Sequence, residues 1–419
     1  MQGSSPPHRD DHKRVLVPLE AWEYNSPLLK IEGKRTDLGL LAEALLYYDQ
    51  VFVDIQSEHQ LEDLLRWAIE RDHINSLLTL IHEGVLKFHY HAFLTTAVST
   101  EGVFRLLHIE DTAQARGASF PEKIIYRADY SCLHARKQRA LIQEIERNYV
   151  EAKVDNYELP IEDARRALGD PEYCSQLLQT FIDDLYRGLH LGKPPQVSCE
   201  IEQVSPETYT IKWNTDFTQI TNMTSGKLDF RPDIPIIGEA HTNRCIMTAI
   251  RNGLDLSLGD VMATLAGNKL VEASEHSGRV REIIQELKIE VEFPDVRGLV
   301  NSGDMYLDTV LEIRAKSSKF RGWLQQEGDK DRNALSAYHN EVAQASGVAK
   351  QGVATLKLFG ILSSTGAAAA RVVDPTGAVS TALTATTGVT NFLGFIGDRL
   401  VKDWKPVVFG DWVKKRLDS

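Results

Sequence analysis

The chain has 419 residues, 42% hydrophobic and 25% charged, a balance that suits a globular protein with a sizeable core and two or three domains. A formal net charge of −12 argues against general nucleic-acid binding, because a phosphate backbone calls for a basic face. The four cysteines, Cys132, Cys174, Cys199 and Cys245, are widely spaced with no CxxC pair, which excludes a dense disulfide scaffold and a compact zinc site and predicts free thiols in a reducing, cytoplasmic setting.

The opening "MQGSSPPHRDDHKR" is polar and lacks an apolar signal-peptide core, so residues 1–12 are expected to be a disordered lead-in. Order is expected from "KRVLVPL", where Val15 and Val17 alternate with their neighbours up to Pro18. "LGLLAEALLYY" predicts a helix and "YDQVFVDI" a buried strand. Two amphipathic helices follow, one with Leu61, Leu64, Leu65 and Ala68 on a face, the next with Ile74, Leu77, Leu78 and Ile81, and Gly84 suits the helix stop. "VLKFHYHAFL" reads as a further strand, completing an α/β pattern in the first hundred residues.

"SCLHARKQRALIQEIERNYVEAKV" predicts a charged helix, and "PIEDARRALGDPEYCSQLLQTFIDDLYRGLHLG" two helices broken at Gly169-Asp170-Pro171. A β-hairpin is predicted near 197–214, with Tyr209, Ile211 and Trp213 on one face. Beyond a turn-rich boundary near residue 230 the patterning is mostly helical, with one strand expected in "LKIEVEFPDV". The expected fold class is α+β and mostly helical. A mixed α/β domain over 13–230 precedes a helical domain over 231–350 and a helical hairpin with an aromatic-basic tail over 351–419.

Candidate chemistry is sparse. His89 and His91 in "HYH" share a face if the segment is a strand, and with His82 or Glu83 they offer weak metal-ligand candidates; strand-surface histidines packing beside Phe88 and Tyr90 are the preferred reading. "IGEAHTNR" sets Glu239, His241 and Arg244 together at a helix start, the material of acid–base catalysis, although a Glu in a first turn also suits the helix dipole. Asp295 is expected to cap the helix after Pro294, and Asp229 and Asp233 to lie in a polar turn. "KSSKFRGW" offers Lys316, Lys319 and Arg321 beside Phe320 and Trp323, either a phosphate contact or a solvated helix face. No Walker loop, GxGxxG, GxSxG or HExxH is present, and no cofactor is expected.

The stretch 358–397 stands apart, with Arg371 and Asp374 its only charges. Its first half reads as a helix that would span roughly 20 Å, too short for a bilayer core of about 30 Å. Its second half is long enough but rich in Thr and Gly, and its large apolar side chains offer only roughly −2 to −4 kcal/mol for insertion. The predicted result is a small-residue helical hairpin, either packed on the body or stored there for release to a membrane. The residues expected to meet that membrane or partner are Leu358, Phe359, Phe392, Leu393, Phe395 and Ile396. The tail adds Trp404, Trp412, Lys414 and Lys415, the composition of a membrane interface.

Three function classes follow. The first is a non-enzymatic, toxin-like bacterial effector of a defence or cell-suicide type, whose hairpin perturbs an anionic membrane after an unidentified protein or small-molecule trigger. The second is a cytosolic enzyme with a dispersed site near Glu239, His241 and Arg244. The third is a self-associating scaffold, a homo-oligomer built on the hairpin.

Overall fold

A computed structural model describes residues 14–21, 26–55, 57–70, 72–90, 93–100, 103–110, 125–151, 164–165, 169–205, 208–228, 234–252, 254–259, 261–262, 295–318 and 358–360. The lead-in at 1–12, His91, and everything beyond Gly360 lie outside the described residues.

The first strand, β1 (Arg14–Pro18), leads through α1 (Pro27–Ile31) and α2 (Leu38–Tyr47) to β2 (Gln50–Asp54). Helices α3 (Glu58–Ile69) and α4 (Ile74–His82) then connect to β3 (Leu86–Tyr90). A capping box at Ser57 and Gln60 starts α3, and Gly84, with φ of 69°, follows α4 in the left-handed conformation its role as helix stop requires. Next come β4 (Phe93–Thr100), β5 (Val103–Glu110), α5 (Ala135–Arg147) and β6 (Tyr149–Glu151). Asp170 caps α6 (Pro171–Gly188), which leads to the hairpin β7 (Cys199–Ser205) and β8 (Thr208–Trp213) and to α7 (Phe217–Met223). The remaining elements are α8 (Ile234–Asn252), β9 (Asp255–Leu258), α9 (Val296–Ser302), α10 (Leu307–Lys316) and β10 (Leu358–Gly360).

The strands form two sheets. One has six strands in the order β10-β9-β1-β2-β3-β6, and every pairing in it is parallel. The other is antiparallel, in the order β4-β5-β8-β7. The parallel sheet is covered on both faces, so its strands are apolar on both sides of the alternation. Val15, Val17, Leu19, Val51, Val53 and Phe88 face a core shared with α2 to α5, α9 and α10. Leu16, Phe52, Leu256 and Leu258 face a second core shared with α6, α7 and α8. Residues from both sides of position 230 thus build one sheet and one pair of cores: β9 pairs with β1, and Val296, Val300 and Val310 pack with α2.

The mixed α/β character expected of the front of the chain is present, with substantial helix among the described residues. Three details differ from expectation. The segment read as one strand over "VLKFHYHAFL" is two strands in different sheets, β3 and β4. Leu358 and Phe359, expected to open a helix, are strand residues paired to Leu256 and Ser257 of β9; edge backbone groups there require partners, and this pairing satisfies them. Asp295 takes the N-cap position of α9, but its side chain donates no capping acceptor to the helix.

A buried ion pair fixes the position of α9. Asp37, the N-cap of α2, accepts from Leu40 N and pairs with Arg297, whose Nη2 lies 2.5 Å from Oδ2. Asn301 also donates to Asp37, at 2.8 Å. Burial raises the Asp37 carboxyl, but the Arg297 charge and these hydrogen bonds outweigh it and hold the group below its ordinary value.

Candidate functional site

The parallel strands β1, β2 and β3 end on one edge of the sheet, and β1 and β9 are neighbours whose onward connections run in opposite directions. The crevice outside the carboxyl ends at such a reversal is where open α/β sheets bind ligands. Period-2 alternation decides what each strand offers there. Asp54 follows Phe52 onto the α8 face, and the parallel register sets His89 beside Asp54. The His89 ring meets Phe52 edge-on at 5.9 Å, and Lys87 lies over the same Phe52 ring.

Helix α8 brings its own polar residues to this edge. Glu239, His241, Thr242, Asn243 and Arg244 are all buried, each 6% exposed or less. His241, Arg244 and Cys245 are spaced i, i+3 and i+4 and share one helix face. Arg244 Nη2 lies 2.5 Å from His241 Nδ1 and 3.5 Å from Asp54 Oδ2, while Cys245 Sγ lies 3.7 Å from His241 Nε2. Glu239 is two residues before His241, about 200° round the helix. It accepts a hydrogen bond from Tyr173 of α6 at 3.1 Å. The structure therefore brings His241 and Arg244 together and turns Glu239 toward α6.

The protonation states follow from burial. The His89 imidazole is lowered to about 4 by desolvation, so it is neutral at pH 7. Burial, aided by the Arg244 charge, pushes His241 well below its ordinary value. Because the guanidinium donates to His241 Nδ1, the ring proton is assigned to Nε2. Burial pushes the Cys245 thiol up to about 12, Arg244 opposing and Asp54 and Glu20 adding to the rise, so Cys245 stays protonated and is no nucleophile at neutral pH.

Among the predicted site residues, His89 is buried rather than a surface histidine, at 1% exposure. Among the described residues no three His, Cys, Asp or Glu side chains are placed to hold a metal ion. Sequence reasoning missed Asp54 and Cys245. The available signal for Asp54 was a carboxylate closing the apolar run "QVFVD", where a parallel strand reaches its ligand-bearing end. A separate cleft of about 470 Å³ lies between α2, α3 and α9, lined by Lys34, Asp63, Arg66 and Trp67 among others. Two of its cations already have carboxylate partners, Lys34 with Glu32 and Arg66 with Asp63, which leaves it the weaker candidate.

No protein-family model matches the chain, and no curated protein and no solved structure is similar to it. No helix among the described residues is long and apolar enough to cross a membrane.

Proposed function

We propose that the chain is an acid–base enzyme acting on a small polar molecule at the carboxyl edge of its parallel sheet. The observation that carries this reading is the buried polar run from Glu239 to Arg244, docked against Asp54. Apolar side chains of similar volume would cost less there, and clusters of buried, perturbed ionisable groups concentrate at functional sites. His241, neutral and carrying its proton on Nε2, donates to an acceptor oxygen of the substrate and polarises it. Asp54 accepts a proton. Arg244 holds the His241 ring in one tautomer and keeps Asp54 in place.

The test is a thermal-shift screen of the full chain against a panel of neutral and anionic metabolites, repeated on Asp54→Asn and His241→Gln. Compounds that stabilise the wild type should bind both variants at least about tenfold more weakly, a loss of about 1.4 kcal/mol or more. Equal stabilisation of all three proteins, or none by any compound, counts against the reading.

A second proposal keeps the effector role for the C-terminal stretch. What supports it is composition alone: two charges in 358–397, then the Trp404, Trp412, Lys414 and Lys415 tail. Because β10 belongs to the sheet, the comparison is between the full chain and one ending at Gly360. Dye release from anionic vesicles by the full chain only supports membrane action. Absence of release, with concentration-dependent sedimentation of the full chain only, assigns the stretch to self-association.

A further inference from the structure

The two cysteines at the junction of α6 and β7 are used by neither proposal. Cys174 lies in the second turn of α6 and Cys199 opens β7. Both are buried in one small core cluster with Tyr209 and Ile211, where Cys174 donates its hydrogen bond to Cys199. Ser175 fastens the junction: its hydroxyl accepts from Cys199 N at 3.1 Å and lies 3.4 Å from Cys199 Sγ. As a thiol, Cys199 donates to Pro171 O at 3.3 Å, beside the positive end of the α6 dipole. Cys174 is 1% exposed and Cys199 9%, so Cys199 is the one an oxidant reaches.

We propose that Cys174 and Cys199 are a redox-responsive dithiol that closes to a disulfide between α6 and β7 under peroxide. Cys199 is suited to attack first. The hydrogen bond from Cys174 and the Ser175 contact lower its thiol to about 7 against the opposing effect of burial, so much of it is thiolate at neutral pH. Cys174 is raised by donating that bond and by burial, and it waits as the protonated partner. In the first step the Cys199 sulfur attacks a peroxide oxygen and the O–O bond breaks. Hydroxide leaves, takes up a proton as water, and Cys199 becomes a sulfenic acid. In the second step the Cys174 sulfur attacks the sulfenic sulfur. The S–S bond forms, the S–O bond breaks, and a second water leaves with the Cys174 proton. Two thiols lose two electrons, and one hydrogen peroxide becomes two waters.

The experiment treats the full chain with a small excess of hydrogen peroxide, blocks remaining thiols with N-ethylmaleimide, and maps non-reduced peptides by mass spectrometry. The expected product links Cys174 to Cys199, reverses with dithiothreitol, and leaves the exposed Cys132 and the buried Cys245 alkylatable after denaturation. In Cys174→Ser, checked for folding by circular dichroism, Cys199 should stop at a sulfenic acid trapped by dimedone several-fold faster than Cys132. Should that variant not fold, the rate of Cys199 labelling against Cys132 in the wild type provides the same comparison. Oxidation of Cys132 ahead of Cys199, or oxidation of Cys199 with no link to Cys174, overturns the proposal.

Discussion

His89 shows what burial does to a single side chain. It sits next to the last residue of a parallel strand, beside Asp54, and desolvation holds its imidazole at about 4. An unfolded histidine titrates near 6.5, so below that pH the unfolded chain binds a proton the folded chain refuses. This contribution to stability is complete above about pH 6.5 and is lost as pH falls toward 4, by about 2 kcal/mol between pH 7 and pH 5. His241 adds to the same trend, since its imidazole is also depressed. Urea unfolding at the two pH values should show His89→Leu losing about 2 kcal/mol less than the wild type over this interval. An identical loss in both proteins removes His89 from the account. Asp37 works in the opposite way, as a charge that must stay charged. Asp37→Ala leaves Arg297 buried without its carboxylate and removes the α2 cap, so urea unfolding should register a loss of about 3–5 kcal/mol. A loss under about 1 kcal/mol would mean that water reaches Arg297.

At the scale of elements, the crossing of α2 and α9 depends on Gly39. A Cβ there would run into the backbone carbonyl and side chain of Arg297. Backbone cannot step aside as a flexible side chain can, so Gly39→Ala should cost more than about 2 kcal/mol. Gly303 makes the informative comparison. It ends α9 with φ of 86° and open space around it, so Gly303→Ala carries only the left-handed backbone penalty of about 1–2 kcal/mol. Thermal unfolding of both variants checks the order. The elements legible in sequence were those with internal signals. The continuous apolar run of β2, the period-2 run of β8, the amphipathic faces of α3 and α4, and the Asp170-Pro171 start of α6 all stand where their patterns point. The short strands β6 and β9 were not legible. Three or four residues carry no period, and their strand conformation comes from pairing with β3 and β1.

For the whole molecule, the parallel sheet gathers strands from Arg14 to Gly360, with β10 reaching β9 from about a hundred residues along the chain. Pairings this distant in sequence are costly to close and slow to form. Ending the chain at residue 357 would remove β10 and leave the backbone groups of Leu256 and Leu258 on an open edge, a template for association. Light scattering should show that chain aggregating more than one ending at Gly360. Equal behaviour would mean that β10 does not protect the edge.

The sequence by itself determined the alternating helices and strands of the front, the caps and stops that bound them, and the presence of Glu239, His241 and Arg244 on one stretch of helix. Each rests on interactions within a few residues, where periodicity and capping act. Tertiary structure alone decided which of those residues work together. Asp54 and Arg244 stand 190 residues apart and meet only because β2 ends beneath α8. Glu239 faces Tyr173 because α6 packs on the opposite side of the same helix. Leu358 and Phe359 look helical among their small-residue neighbours, yet they extend a sheet because β9 offers unpaired backbone that a strand can satisfy.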